Sequence, residues 1–397
     1  MIKKLFLILL FSVTLVIGCS RNNPLIEGLP VIDVTKNYPE KEISLNDIAD
    51  VSYVHLNSKS DDFLYRGTIN YATENTFVVV DASSNSILFF SKDGTPKSRF
   101  NRYGEGPQDY WGMGNPIIYD EKADEVFINT RFKIQVYSSK GEYKRSLPLP
   151  SGVMIHQMDS FDDQSLIIFD ENRRFYKAQP KTPEENLAYF MYYKIDSSFF
   201  LVSKADGQVL DYIQMPASPI CLSIKTSGGG LMLPAITGMV KHAEGFCLCN
   251  PETDTVFLYT KNKVLTPIMC KIHSVSTLDP KIILNNCLDF GKYQFMEVQT
   301  LSSDQMGHRG YKNYVRDKKT GEVYQPKITL PDYKGYIVVV PKPYRRLFQE
   351  NGTHYELNLF ELKQAYIEKK LSGKLKELVA KLDELNDHNV LMFVKFK

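Results

Sequence analysis

A glycine-rich loop carries the side chains of this chain that are best suited to contact a ligand. Arg102 comes just before Tyr103-Gly104-Glu105-Gly106-Pro107, and Tyr110 and Trp111 follow it. A dinucleotide fingerprint needs a helix after such glycines, and no helical pattern follows here. The glycines instead fit a tight structural connection that requires positive φ. The alternative is a ligand-binding loop in which Arg102, Tyr110 and Trp111 are the contacts and the flat indole ring stacks on a sugar.

Cysteine and histidine give no catalytic or metal-binding pattern. Five cysteines follow Cys19, an odd number that cannot all pair within the chain. Cys247 and Cys249 would face one side of a strand, with only His242 close by, so we expect buried structural thiols. The seven histidines lack the i, i+4 spacing of metal ligands, and no Gly-x-Ser-x-Gly elbow occurs. We therefore predict no catalytic residue, no metal and no cofactor.

The first residues predict export and lipid attachment. Two lysines precede an apolar run from Leu5 to Ile17, which is too short to span a bilayer because a spanning helix needs about 20 residues. The next residues complete Val16-Ile17-Gly18-Cys19, which resembles a bacterial lipobox. That resemblance implies cleavage before Cys19 and lipidation of its thiol. We assign residues 1–18 as a signal peptide and residues 19–44 as a tether and entry segment.

Composition excludes some functions and favours strands. The formal net charge is +2, and no Lys/Arg cluster alternates with aromatic residues, so nucleic acid is not an expected partner. The chain has 24 Tyr and 23 Phe but one Trp. Because Tyr and Phe favour the half-buried surface of a pleated sheet, this enrichment indicates a mainly β fold.

A repeated hairpin pattern predicts a ring of similar sheets. Two apolar runs and a turn end in Gly94, and the same pattern ends in Gly141, 47 residues later. Weaker copies end in Gly207 and Gly321 and lie within residues 245–259. Repeats of 40 to 50 residues, each a few strands long, are typical of β-propeller blades, because stacking in a ring buries both faces of each blade. We predict an all-β, six-bladed β-propeller over residues 45–397.

The last forty residues predict a helical segment and a closing strand. Leucines spaced by three and four residues between Leu371 and Leu385 form one apolar stripe, so residues 358–386 are a predicted helical insertion. The stripe covers only two heptads, which favours packing on the propeller over a coiled coil with a partner. The terminal apolar run, residues 389–397, is a predicted strand. We expect it to join a blade with N-terminal residues 51–56 and so close the ring.

Four segments in order resemble six-bladed β-propeller lipoproteins of Bacteroides, which are distant relatives of NHL-repeat propellers. The segments are Asp50–Leu56, Asn101–Tyr110, Glu252–Phe257 and Asp387–Lys397. This chain departs from the family pattern by having Phe257 and Val390 in place of the usual Tyr and Pro. The resemblance covers residues 45–397 and implies no catalytic residue set.

The resemblance and the residues together predict an extracytoplasmic binding or scaffold module for a glycan, a peptide or a partner protein. The alternative is a metal-dependent, lactonase-like or glycan-cleaving hydrolase with its site in the central channel. The lipid on Cys19 would hold the protein to a membrane of the cell envelope. No acidic residue follows Cys19 before Glu27. Because acidic residues there are associated with surface display in Bacteroides, we expect an outer-membrane anchor facing the periplasm, with surface exposure as the other option.

Overall fold

A computed structural model describes most of the chain from residue 28 onward. The described residues are 28–397 apart from 58–60, 68, 112, 131–132, 151–152, 171–197, 216–223, 226–230, 233–236, 251–252, 276, 302–309, 341–351, 384–386 and 388. The predicted signal peptide and Cys19 lie outside them. Within the described residues, no helix has the length and apolar character needed to cross a bilayer.

The described chain is built mainly from strands. In chain order the strands are β1 (Val31–Asp33), β2 (Glu40–Ser44), β3 (Ala49–His55), β4 (Ile69–Ala72), β5 (Thr76–Val80), β6 (Ile87–Ser91), β7 (Pro96–Phe100), β8 (Met113–Asp120), β9 (Glu125–Thr130), β10 (Lys133–Tyr137), β11 (Tyr143–Pro148), β12 (Ile155–Ser160), β13 (Ser165–Asp170), β14 (Phe199–Ser203), β15 (Val209–Tyr212), β16 (Ile224–Lys225), β17 (Leu231–Met232), β18 (Met239–His242), β19 (Gly245–Leu248), β20 (Thr255–Thr260), β21 (Leu265–Ile272), β22 (Lys281–Phe290), β23 (Tyr293–Leu301), β24 (Gly310–Asp317), β25 (Val323–Thr329), β26 (Ile337–Val338), β27 (Gly352–Leu357) and β28 (Val390–Phe396). The α-helices are α1 (Leu45–Ile48), α2 (Leu359–Ile367) and α3 (Gly373–Ala380).

Five four-stranded meanders follow one another along the chain. They are β4–β7, β8–β11, β12–β15, β18–β21 and β22–β25, each with its strands paired in chain order. The first strands of several neighbouring meanders contact each other: β4 contacts β8, β8 contacts β12, and β18 contacts β22. A sixth sheet contains β27, β28 and β3. The protein is therefore a six-bladed β-propeller with few helices, and the predicted fold class is confirmed.

The sixth blade joins the two ends of the described chain. β28 pairs antiparallel with β3, from Val390 opposite His55 to Phe396 opposite Ala49, and on its other side with β27. Ring stacking ties this blade to both neighbours. Phe393 stacks on Phe77 of the first blade and Phe396 on Phe290 of the fifth, each with ring centroids 4.8 Å apart. This is the strand pairing that the terminal apolar run predicted.

The segment predicted as a tether and entry segment contributes two further strands. β1 pairs parallel with β21 at the edge of the fourth blade, and β2 pairs parallel with β25 in the fifth. Ile32 and Val34 are buried there. The described part of residues 19–44 is therefore anchored in the ring, because hydrogen bonds and buried side chains hold it against two blades.

The predicted insertion at residues 358–386 contains two short helices. Leu362 of α2 and Leu375 and Val379 of α3 are fully buried in the largest apolar cluster, together with residues of the fifth and sixth blades. The predicted stripe is only partly helical, because Leu371 lies before α3 in a bridge with Tyr333. The helices pack on their own propeller, as the shortness of the stripe indicated.

The repeated turn glycines have a shared packing role. In each of three blades the glycine between the third and fourth strands has positive φ and lies against the end of the preceding blade's outer strand. A Cβ on Gly94 would come within 2.1 Å of the His55 carbonyl oxygen, and one on Gly141 within 2.6 Å of Phe100 Cβ. Gly207 lies similarly close to Pro148. These glycines therefore recur along the sequence because each blade makes the same close contact with the blade before it.

A pair of alanine substitutions separates the conformational cost of these glycines from their packing role. Gly321 also has positive φ, but nothing lies within 4 Å of its Cβ position. We expect Gly321→Ala to lower the free energy of unfolding by about 1–2 kcal/mol, the cost of a left-handed Ala. Gly141→Ala should cost about 1–3 kcal/mol more, because the methyl group overlaps Phe100. Urea unfolding measures both values, and equal losses would contradict the packing role.

Candidate functional site

A large cavity lies where the blades meet. Its volume is about 1020 Å³, and it is lined by turns of the first four blades and by Lys395 of the sixth. Most of the turns at its rim join the first and second strands of a blade, and Lys261 lies in the turn between the third and fourth strands of the fourth blade. Because blades on opposite sides of the ring reach this cavity together, it is the mouth of the central channel. We call it the central opening, and the face that carries it the opening face.

Charge is unevenly distributed around the central opening. The acidic groups come from the first three blades, where Glu74, Glu121 and Asp162 line the cavity. The fourth and sixth blades contribute Lys241, His242, Lys261 and Lys395. Lys122 of the second blade is the exception among the first three, and it is paired with Asp163 at 2.8 Å. The opening therefore has an acidic side and a basic side.

The carboxylates at the rim hold the turns in place. Glu121 accepts hydrogen bonds from the hydroxyl groups of Thr73 and Thr76 and from the Asn75 backbone, so it ties the second blade to the first. Burial alone would raise the pKa of Glu121, but these hydrogen bonds and Lys97 together hold it below its usual value. A carboxylate that stays ionised in fixed hydrogen bonds is a poor general base, because its proton affinity is low.

Two more carboxylates, Asp120 and Asp159, link blades in the same way. Asp120 pairs with the buried Lys204 at 2.7 Å, and the Lys204 ammonium also donates to the Ser160 hydroxyl. Asp159 accepts a hydrogen bond from the Tyr71 hydroxyl at 3.0 Å and lies 3.9 Å from Lys241. The first blade thus bonds to the third across the ring. These groups make the rim of the opening rigid.

The described residues offer no cluster suited to a metal ion. No three His, Cys, Asp or Glu side chains in the described ranges lie close enough together to hold one. Cys247, Cys249, Cys270 and Cys287 are buried free thiols, as expected, and Cys221 lies outside the described residues. Burial raises the pKa of Cys249 to about 12, so its thiol stays protonated at neutral pH.

The glycine-rich loop connects the first blade to the second on the face opposite the opening. Neither Gly104 nor Gly106 has positive φ, so the predicted reason for these glycines is wrong. A Cβ on either residue would instead come within 2.6 Å of an Asp109 carboxylate oxygen. The carboxylate accepts a hydrogen bond from the Gly106 backbone. The two glycines therefore allow the loop to fold around Asp109.

The three residues predicted as ligand contacts are placed differently from one another. Tyr110 is fully buried, and its hydroxyl donates to the Asn85 carbonyl and accepts from the Arg102 backbone, which makes it a structural residue. The half-buried Arg102 side chain lies 3.7 Å from Asp109. Trp111 is 53% exposed and lines a separate cavity of about 240 Å³ on this face. Trp111 therefore stays a candidate contact, and all three lie away from the central opening.

The residues of the central opening were not found from the sequence. Glu121 and Lys241 are 120 residues apart, and each lies near the end of the first strand of its blade. The repeat itself could have indicated the residues of the opening, because equivalent positions of successive blades meet at the axis of the ring. Using that signal requires the strand register of every blade, which the weaker repeats do not give.

Comparison with known proteins supports the propeller architecture. Residues 20–205, somewhat less than half of the chain, match a family model described as "6-bladed beta-propeller". The chain has the fold of that group. An exported protein of Bacteroides fragilis is similar in structure, with a TM-score of 0.58 and 14% identity, over 92% of this chain and 99% of that one. At this identity the likeness shows the fold alone.

A second solved structure is less similar to this chain. The extracellular domain of a one-component system from B. thetaiotaomicron has a TM-score of 0.33 and 12% identity, and the match covers 70% of this chain and 29% of that chain. No curated protein matches the sequence. The resemblance to lipoproteins and to NHL-repeat propellers stays a prediction.

Proposed function

We propose that the propeller is an extracytoplasmic binding module whose central opening holds a peptide or a protein segment with charges of both signs. The observation that carries this proposal is the division of the opening into an acidic side and a basic side. A ligand with charges of both signs can interact favourably with both sides at once, which a neutral glycan cannot do. Complementary charges of this kind contribute mainly specificity and association rate.

The form of the opening also fits binding. Its volume of about 1020 Å³ is at the upper end of the range typical of ligand pockets, about 300–1,000 Å³, and it is open to solvent on one face. Tyr71, Phe161 and Phe246 also line the cavity, but each of them is buried. An extended chain or an exposed loop of a partner protein therefore fits better than a compact metabolite.

The alternative, a metal-dependent hydrolase, requires oxygen ligands that converge on one point at about 2.3–2.6 Å from a cation such as Ca²⁺. Among the described residues of the opening, Glu121, Asp120 and Asp162 are each held in their own hydrogen bonds or ion pairs. Asp162, for example, accepts from the backbone and hydroxyl of Ser165. These bonds disfavour a cation shared among the three carboxylates.

Reversing charges on the basic side tests the proposal. We expect Lys241→Glu with Lys395→Glu to weaken binding of mixed-charge peptides, drawn from a random peptide array, by about tenfold or more, because attraction at two positions becomes repulsion. The control is Lys140→Glu, which makes the same change on an exposed turn of the second blade, away from the opening. Fluorescence anisotropy gives the affinities. Equal affinities of the double variant and the control would contradict the proposal.

We also propose that the mature chain is attached to the outer membrane, facing the periplasm, through lipid on Cys19. The lipobox-like sequence Val16-Ile17-Gly18-Cys19 supports this. Cells producing the full chain should incorporate radiolabelled palmitate into the protein, and Cys19→Ala should abolish the label. Labelling that persists in the variant would show that the thiol is not the attachment point.

A further inference from the structure

The outer strands of the first four blades share one irregularity. Each of them contains a β-bulge, in which one residue has no opposite residue in the third strand of its blade. In blade order these bulge residues are Lys97, Lys144, Leu210 and Ile268. Residues at the same distance beyond the bulge are therefore equivalent, and the outer edges of these blades can be compared position by position.

The fourth blade shows how such an edge accepts a further strand. β1 pairs in parallel with Cys270–Ile272, the second to fourth residues after the bulge. The Cys270 amide donates to the Pro30 carbonyl at 2.9 Å. Ile32 of β1 is buried in an apolar cluster against which the bulge residue Ile268 also packs. The added strand therefore supplies both main-chain partners for the edge and an apolar side chain beside the bulge.

The fifth blade accepts a strand in the same way. The Gln325 amide of its outer strand donates to the Pro39 carbonyl at 2.8 Å, and β2 follows that proline. Both added strands thus begin directly after a proline whose carbonyl is an acceptor for the edge. A proline favours an extended conformation of the residue before it, so it prepares a segment for pairing of this kind.

The outer edge of the third blade has the same backbone arrangement. Ile213, the third residue after its bulge, donates its backbone N–H to the Phe199 carbonyl. Its equivalent in the fourth blade, Lys271, makes the corresponding bond. Tyr212–Gln214 therefore correspond to the residues that pair with β1. Within the described ranges, no strand pairs with the outer side of β15.

The bulge residue of the third blade is exposed. Leu210 is 50% exposed, whereas the equivalent Ile268 packs against the cluster that contains Ile32. An apolar side chain in the position that Ile32 has on the fourth blade would cover Leu210. The third blade thus has the edge and the apolar contact that an added strand uses, and the described part of the chain supplies no such strand.

The outer edges of three other blades are closed in different ways. In the first blade the short turn Asp61–Phe63 contacts β7, and the Arg99 side chain donates to the Asp62 carbonyl at 2.8 Å. In the second blade Pro148 has the position of Ile272 and has no N–H to donate to an added strand. In the sixth blade α3 contacts β3. Among the described residues, the third blade is therefore left with an open edge.

We propose that the outer edge of the third blade is a docking site for an extended segment of a partner protein, which adds to β15 in parallel as β1 adds to β21. The segment contains a proline and, two positions later, a large aliphatic residue, because Pro30 and Ile32 have these positions on the fourth blade. Main-chain hydrogen bonds give the affinity, and contact with Leu210 gives the specificity. This edge is separate from the central opening, so the proposal does not rest on the proposed function.

A peptide copy of the strand on the fourth blade is the probe. It is a blocked peptide with the sequence of residues 29–34, Leu-Pro-Val-Ile-Asp-Val. Added to the protein and followed by two-dimensional NMR, it should shift the backbone amides of residues 210–214. The amides of residues 270–272 should not shift, because β1 is attached to its own chain and its effective concentration at the fourth blade is high.

Two altered peptides separate strand pairing from unspecific apolar contact. Replacing the isoleucine by aspartate should weaken binding about tenfold or more, because the apolar contact with Leu210 is lost. An N-methyl group on the isoleucine should also weaken binding about tenfold, because it removes a backbone donor that faces the edge in a parallel pair and blocks close approach. The side chain is unchanged in the second peptide, so its weakening reports on the backbone alone.

Two variants of the protein provide the matched comparison. Leu210→Lys introduces the residue type found at the bulges of the first two blades, and it should weaken peptide binding about tenfold or more, since lysine protects an edge strand from pairing. Ile367→Lys makes the same kind of change at a residue of α2 that is 71% exposed, in the blade on the other side of the ring. It should bind the peptide like the unaltered protein. Thermal unfolding verifies that both variants are folded.

Four results would each overturn the docking proposal. They are no shift of amides 210–214 at millimolar peptide, shifts confined to residues 270–272, equal binding of the N-methylated and unmodified peptides, and binding that is unaffected by Leu210→Lys. The second result would mean that the peptide replaces β1 on the fourth blade and that the third blade has no site of its own.

Discussion

The hydrogen-bonded pairing of β28 with β3 is the constraint on which the rest of the structure depends. It joins residues 390–396 to residues 49–55 and completes a blade from both ends of the described chain. A blade has two apolar faces, and both are covered only when every blade has a neighbour on each side. Phe393 and Phe396 show this directly, because they stack on the first blade and the fifth. The loop-closure entropy of joining such distant segments is offset by the surface that the closed ring buries.

Ring closure also creates the candidate sites. The central opening exists because turns of non-adjacent blades face one another, and Lys395 reaches it from the closing strand itself. A smaller cavity of about 370 Å³ lies at the junction of the sixth and first blades, with Phe393 of the closing strand in its wall. Ion pairs and hydrogen bonds such as those of Lys204 and Glu121 hold the rim, so the proposed ligand would meet a preformed surface that binding does not have to order.

Much of the architecture could be predicted from the sequence, because local patterns encode it. Gly94 and Gly141 mark equivalent turns, and the terminal apolar run pairs as its pattern indicated. β1 and β2 were missed, since a three-residue and a five-residue strand that add in parallel to distant edges leave no local signal. The site was missed for a related reason. Trp111 stood out in the sequence by its residue type, whereas Lys241 and Glu74 are ordinary charged residues that the ring brings to one cavity.

Amide hydrogen exchange tests most directly whether closure of the ring holds the structure together. The amides of β28 and β3 should exchange only through global unfolding, so their opening free energy should equal that from urea denaturation and be as high as that of β9 or β13. Exchange of β28 and β3 at a much lower free energy, with the other blades still protected, would contradict the account. That result would mean that the five meanders are stable without the closing strand pair.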